Sequence, residues 1–145
     1  MLLNDKETNI STLTIEEVNA ITPLTNLDEV EDGEDEAVCY ETDAVLDIEG
    51  TAFKPSYEYE WIDGEAELRT IYLKAAAGGE SVLEVIHEWK DRLLKKYECE
   101  IWDEDTGSSP DYSIEFGYED DDDHWTVRME SNAYNFDYDL RIDIE

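Results

Sequence analysis

Apolar and polar residues alternate with period two over most of this chain, and the period lengthens in two places only. The closing segment NFDYDLRIDIE (residues 135–145) shows the dominant rhythm. Phe136, Tyr138, Leu140, Ile142 and Ile144 share one parity; Asp137, Asp139, Asp143 and Glu145 share the other, interrupted by Arg141. Successive side chains of a strand point to opposite faces, so this pattern predicts a strand with one buried and one wet side. AVCYETDAVLDIEG (37–50) repeats it, with Val38, Tyr40, Ala44, Leu46 and Ile48 against Glu41, Asp43, Asp47 and Glu49. In SYEYEWIDGEAELRTIYLKA (56–75), Tyr57, Tyr59 and Trp61 alternate with Glu58 and Glu60, and Asp63-Gly64 supplies a hairpin turn. YECEIWDED, YSIEFGYE and HWTVRMES predict three more strands, with TGSSPD as a loop and DDDD as a connection.

The longer period appears in GGESVLEVIHEWKDRLLKKYE (78–98). Val82, Val85, Ile86, Trp89, Leu93 and Tyr97 form the stripe of a helix from about Ser81 to Tyr97. Ser81 and Glu84 have capping-box spacing, and Lys90, Arg92, Lys95 and Lys96 complement the dipole of its second half. A shorter helix is predicted in STLTIEEVNAIT (11–22), capped by Thr12 or Thr14, carrying Ile15, Val18 and Ile21, and ending before Pro23. Residues 1–10 read as a frayed end, and Asp28–Glu36 as a mobile acidic loop around Gly33.

The expected fold is α+β: one antiparallel, meander-like sheet of about five to seven strands with a long helix across its apolar face and a short N-terminal helix. Residues 1–37 would form the N-terminal helix and linker, and 38–145 the acidic domain. Trp61, Ile86, Trp89, Leu93, Ile101, Phe116, Trp125, Val127, Phe136 and Leu140 are the predicted core.

Composition changes this ordinary picture. Of 145 residues, 41 are acidic and 10 basic, a formal charge of −31. Nine Tyr, 4 Trp and 3 Phe argue against a disordered acidic chain. Nucleic acid and anionic membranes carry the same sign and are disfavoured as direct partners; a cationic partner is favoured. No apolar run reaches the roughly 20 residues needed to span a bilayer. MLLNDKETN lacks the basic-then-apolar order of a secretory signal, so a cytoplasmic protein is expected. Cys39 and Cys99 stand alone and read as reduced strand residues.

The acids are segregated. The outward parity collects Glu41, Asp43, Asp47, Glu49, Glu58, Glu60, Glu98, Glu100, Glu115, Glu119, Glu130, Asp137, Asp139, Asp143 and Glu145, with only Arg128 and Arg141 among them, while the inward parity holds no acid. Same-face residues on a strand repeat every ~6.8 Å and strands lie ~4.8 Å apart. B-DNA carries one phosphate per roughly 1.7 Å of axis. A carboxylate sheet is therefore a rigid array of negative charge on a similar scale.

This pattern points to a stoichiometric inhibitor that mimics DNA and occupies the basic site of a nucleic-acid-binding protein, as anti-restriction and anti-CRISPR proteins of phages and mobile elements do. The candidate partner-binding residues are Glu41, Asp43, Asp47, Glu49, Glu58, Glu60, Glu115, Glu119, Asp120, Asp121, Asp122, Asp123, Asp137, Asp139 and Asp143. The competing readings are an immunity protein that neutralises a basic nuclease toxin, and an acidic domain adapted to high salt or to a larger assembly. The protein is expected to act as a monomer or dimer, without a cofactor. No catalytic motif appears: P-loop, GxSxG and HExxH are all missing, and an enzyme is not expected. EF-hand spacing fails at Asp103 and again around Asp28, so no dedicated metal site is expected. His87 reads as a residue at the edge of the helix stripe, and His124 has no nucleophile partner in the sequence pattern.

Overall fold

The computed structural model describes residues 1–26, 37–76, 81–105 and 111–144. Among these residues ten strands form one sheet: β1 (Leu2–Leu3), β2 (Lys6–Glu7), β3 (Ala37–Glu41), β4 (Leu46–Ile48), β5 (Thr51–Ile62), β6 (Glu65–Ala75), β7 (Glu100–Asp105), β8 (Asp111–Glu119), β9 (His124–Asn132) and β10 (Asp137–Asp143). Two helices accompany them, α1 (Ile15–Ile21) and α2 (Val82–Tyr97), with a 3-10 turn at Ile10–Thr12. The sheet order is β2-β1-β4-β5-β6-β10-β9-β8-β7, and β3 pairs with β5 beside β4. Every pairing is antiparallel.

Local chemistry explains the path. Asp63 (φ 52°) and Gly64 (φ 83°) both occupy the left-handed region, which a two-residue hairpin loop requires, and they join β5 to β6 with Ile62 opposite Glu65. The chain then crosses one face of the sheet as α2 and re-enters at the far edge as β7. The meander β7-β8-β9-β10 brings it back, so β10 closes against β6 through Arg141–Tyr72, Ile142–Ile71 and Asp143–Thr70.

The crossing explains the core. Val82, Leu83, Ile86, Trp89 and Leu93 are buried against the sheet. The Trp89 indole donates to the Ile48 carbonyl at 2.9 Å, and its ring meets Phe53 edge-on at 5.2 Å. The N-terminal segment packs on the same face. Tyr59 donates to the Leu13 carbonyl (2.8 Å), and the Thr22 and Tyr57 hydroxyls share a bond of 2.9 Å. Ile10, Leu13 and Val18 therefore belong to one core with the strands and α2.

The expected sheet of five to seven strands with one long helix is overturned. The sheet has ten strands, and the helices are a minor part of seven and sixteen residues. Two causes account for the miscount. Strands of two residues, β1 and β2, leave no periodic trace. The alternation from Val38 to Ile48 also runs straight through a break: Thr42 donates to the Pro23 carbonyl (2.6 Å), the chain turns, and β3 and β4 pair separately with β5.

The terminus is not frayed. Met1 is 2% exposed, its ammonium lies 2.9 Å from Glu7, and the Leu2 amide donates to Glu49 at 2.8 Å. The capping box belongs to α1, where Thr14 and Glu17 bond reciprocally. Ser81 already has helical backbone and caps nothing with its side chain. Of the predicted core, Ile86, Trp89, Leu93, Phe116, Trp125, Val127 and Leu140 are buried. Trp61 is half-buried, and Ile101 and Phe136 are 48% and 42% exposed, because β7 is an edge and Phe136 lies in the turn before β10. The acidic loop expected at Asp28–Glu36 lies outside the described residues. Cys39 and Cys99 are free thiols.

Candidate interaction face

The sheet face opposite α2 is built as rows running across the strands. Register alone defines them. One row reads Asp103, Glu115, Arg128, Arg141, Tyr72, Ser56, Glu41 from β7 to β3. The next reads Glu100, Gly117, Thr126, Asp143, Thr70, Glu58, Cys39. On the other side of the first lies Asp105, Ser113, Glu130, Asp139, and beyond it Asp111, Asn132, Asp137.

The rows differ in electrostatics. In the central pair, acids meet cations. Arg128 lies 3.4 Å from Glu115 and 3.1 Å from Asp143, the latter off the line of a hydrogen bond, and Arg141 lies 3.4 Å from Asp143. Asp143 also accepts from Thr70 at 3.0 Å. Toward β5, Arg69 bridges Glu60 (2.9 Å) and Glu67 (3.3 Å). In the outer rows Glu130 and Asp139 stand directly opposite one another, with Asp137 exposed beside them, and no cation among the described residues pairs with these three. Adjoining depressions of about 420 and 220 Å³ are sunk into this end of β7–β10; both are lined by Ser113, Glu130 and Asp139.

The expected acids therefore divide. Glu41, Glu58, Glu60, Glu115, Asp137, Asp139 and Asp143 lie on the face, as does Asp47, whose carboxylate accepts from the Gly50 amide. Asp43 is exposed in the turn after β3, and Glu119, Asp121 and Asp122 are exposed around the β8–β9 connection. Three others are turned to internal tasks. Glu49 has a side chain only 5% exposed; it takes Lys96 (2.8 Å), the Leu2 amide and the Tyr97 hydroxyl. Burial opposes its charge, yet these three donors together hold its carboxyl below the usual glutamate range. Asp123, 5% exposed, accepts from the amides of Ser11 (2.9 Å) and Ile10 (3.4 Å) and so anchors the N-terminal segment. Asp120 folds the turn by accepting from Tyr118, Asp122 and Asp123, which lowers its pKa and pushes the Tyr118 hydroxyl up to about 12.

The face is also less purely acidic than the parity suggested. Besides Arg128 and Arg141 it carries Arg69 and the facing pair Lys54–Lys74. Nor is the inner parity free of acid: Glu104 lies opposite Ile114 and accepts from the inner-face Tyr112 at 2.8 Å. The cause is a bulge at Trp102, which shifts register between Ile101 and Asp103 and sends Asp103 and Asp105 outward in place of Glu104. Simple alternation carries no signal of it.

Other groups fall where packing puts them. The His87 ring meets Tyr112 edge-on at 4.9 Å, and burial, followed by Lys90, lowers its pKa. No described group of three or more His, Cys, Asp or Glu is arranged to hold a metal ion, and no described helix is long and apolar enough to cross a membrane. Comparisons with protein-family models, with curated proteins and with solved structures find no match for this chain.

Proposed function

We propose that the protein is a stoichiometric acidic inhibitor, a mimic of DNA whose carboxylate rows occupy the basic nucleic-acid-binding site of a nuclease or defence effector in the cytoplasm. The observation that carries this reading is the outer-row cluster of Glu130, Asp137 and Asp139, held at strand spacing without a pairing cation among the described residues. Like charges directly opposite one another destabilise a sheet. Placing them there while arginines neutralise the neighbouring rows leaves a concentrated negative field on a rigid support. Such a field steers a cationic partner and then pairs with it. Its role is binding, and no catalytic step is assigned to it.

The test is the variant Glu130→Lys/Asp137→Lys/Asp139→Lys. All three side chains are exposed, so the fold should survive, and association with the captured target should slow by orders of magnitude. Capture from a bacterial lysate at low and high salt supplies that target. Binding should weaken steeply as the Debye length falls from ~10 Å at 0.1 M to ~3 Å at 1 M, and DNA should compete. A triple variant that inhibits as well as the parent, or a target that holds DNA and this protein together without mutual loss, would overturn the reading.

A further inference from the structure

The far edge of the sheet differs from the rest of the surface. Among the described residues β7 pairs with β8 alone, and all six of its residues are exposed. Two of the protein's few exposed large apolar side chains are here, Ile101 at 48% and Trp102 at 51%. The six-membered ring of Trp102 lies over Gly117 on β8; a Cβ at 117 would come within 2.6 Å of it, so the glycine makes room for the indole. A free edge presents a row of backbone donors and acceptors, a ready template for another strand. The question is which strand.

Charge answers it. EIWDED carries four acids and no cation. A second copy of β7 would set carboxylate against carboxylate across the new ladder, an arrangement that repels. A lysine- or arginine-rich strand would meet opposite charge at each of those positions. We propose that β7 is a docking edge that takes up an extended basic segment of the partner as an additional strand, with one cationic side chain lying on the Trp102 ring. Backbone bonds supply affinity in this mode, and alternate side chains supply selectivity. The indole face, rimmed by Glu100 and Glu119, suits a guanidinium or ammonium by cation–π attraction. The bulge at Trp102 sharpens the local twist, so the added strand meets two short stretches, which also discourages further stacking. The inference rests on the cationic partner proposed above but uses a different surface, the edge rather than the outer rows.

The probe is a synthetic peptide alternating Arg or Lys with Val, studied with the intact protein near 0.15 M salt, where the Debye length is ~8 Å. Its control has the same sequence with the central backbone nitrogens methylated, which removes the donors and keeps the charge. The unmodified peptide should protect β7 amides from exchange and bind at least ~10-fold more tightly than the control, the scale of one or two lost hydrogen bonds. Trp102→Ala should weaken it about two- to five-fold. The Glu130→Lys/Asp137→Lys/Asp139→Lys variant should bind it within about twofold of the parent, since these residues lie off the edge. Equal affinity of the two peptides, or protection falling on strands other than β7, would overturn the docking edge. That outcome leaves the outer rows untouched, because their own test is inhibition by the triple variant.

Discussion

Glu49 and Asp139 share a chemistry and a place in the alternation, yet the fold uses them in opposite ways. Glu49 sits in the β4–β5 turn with a left-handed backbone (φ 52°), its carboxylate enclosed by Lys96, Tyr97 and the Leu2 amide. It ties β1, the β4–β5 corner and the C-terminal turn of α2 together. Asp139 stands exposed on β10 opposite Glu130, and its carboxylate bonds to nothing among the described residues. A charge of −31 is thus two populations. Some acids are internal ligands that hold the chain, and others are held by it. Only the second population is available to a partner.

Removing internal acids should cost the most. Glu49→Ala leaves the Tyr97 hydroxyl and the Leu2 amide, both part-buried, and the exposed Lys96 ammonium without their acceptor, and should lower unfolding free energy by roughly 2–4 kcal/mol in urea titration. A loss below about 0.5 kcal/mol, the range of ordinary surface changes, would erase the distinction from Asp139. The pH dependence gives an independent check. Because the folded pKa of Glu49 is depressed, its contribution is complete above the ordinary glutamate value near 4.3 and is lost as pH falls through the lower folded value. The difference in stability between parent and Glu49→Gln should therefore shrink in that acid window and stay constant from there to neutrality.

Asp123→Ala comes next, at about 1–3 kcal/mol, since it strands the Ser11 and Ile10 amides under the N-terminal segment. Exchange of those two amides should accelerate more than that of the α2 core. Arg128→Met removes a partner shared by Glu115 and Asp143, both only partly exposed, and should cost about 1 kcal/mol after solvent screening. It also bears on design. Reversing Asp143, which Arg128, Arg141 and Thr70 all engage, would disturb the fold, whereas reversing Asp137 or Asp139 should not. The smallest effect has the opposite sign. Asp139→Lys replaces a repulsive cross-strand pair with Glu130 by an attractive one and should stabilise the protein by about 0.2–1 kcal/mol. Destabilisation instead would mean that Asp139 has structural work of its own.

Much of this was legible beforehand. Alternation located β5, β6, β8, β9 and β10, Asp63-Gly64 marked their hairpin, and the stripe from Val82 to Tyr97 located α2. These signals are local, because strand and helix periods are properties of consecutive residues. The face was legible to the same extent: parity put Glu58, Glu115, Asp137 and Asp139 together on one side of their strands.

What only the tertiary structure decided was which acids are free. Sequence alone determined a strand-rich, heavily acidic chain with one long amphipathic helix, a shorter one before it, and a carboxylate-bearing parity. It could not determine the order of strands, and with it the facing of Glu130 and Asp139, because cross-strand neighbours are set by register between distant segments. It could not separate Glu49 from Asp139, because the partners that enclose Glu49 come from residues 2, 96 and 97. It could not show the bulge at Trp102, where one extra residue exchanges the faces of Asp103 and Glu104. In each case the deciding interaction is long-range, and a period read along the chain contains no term for it.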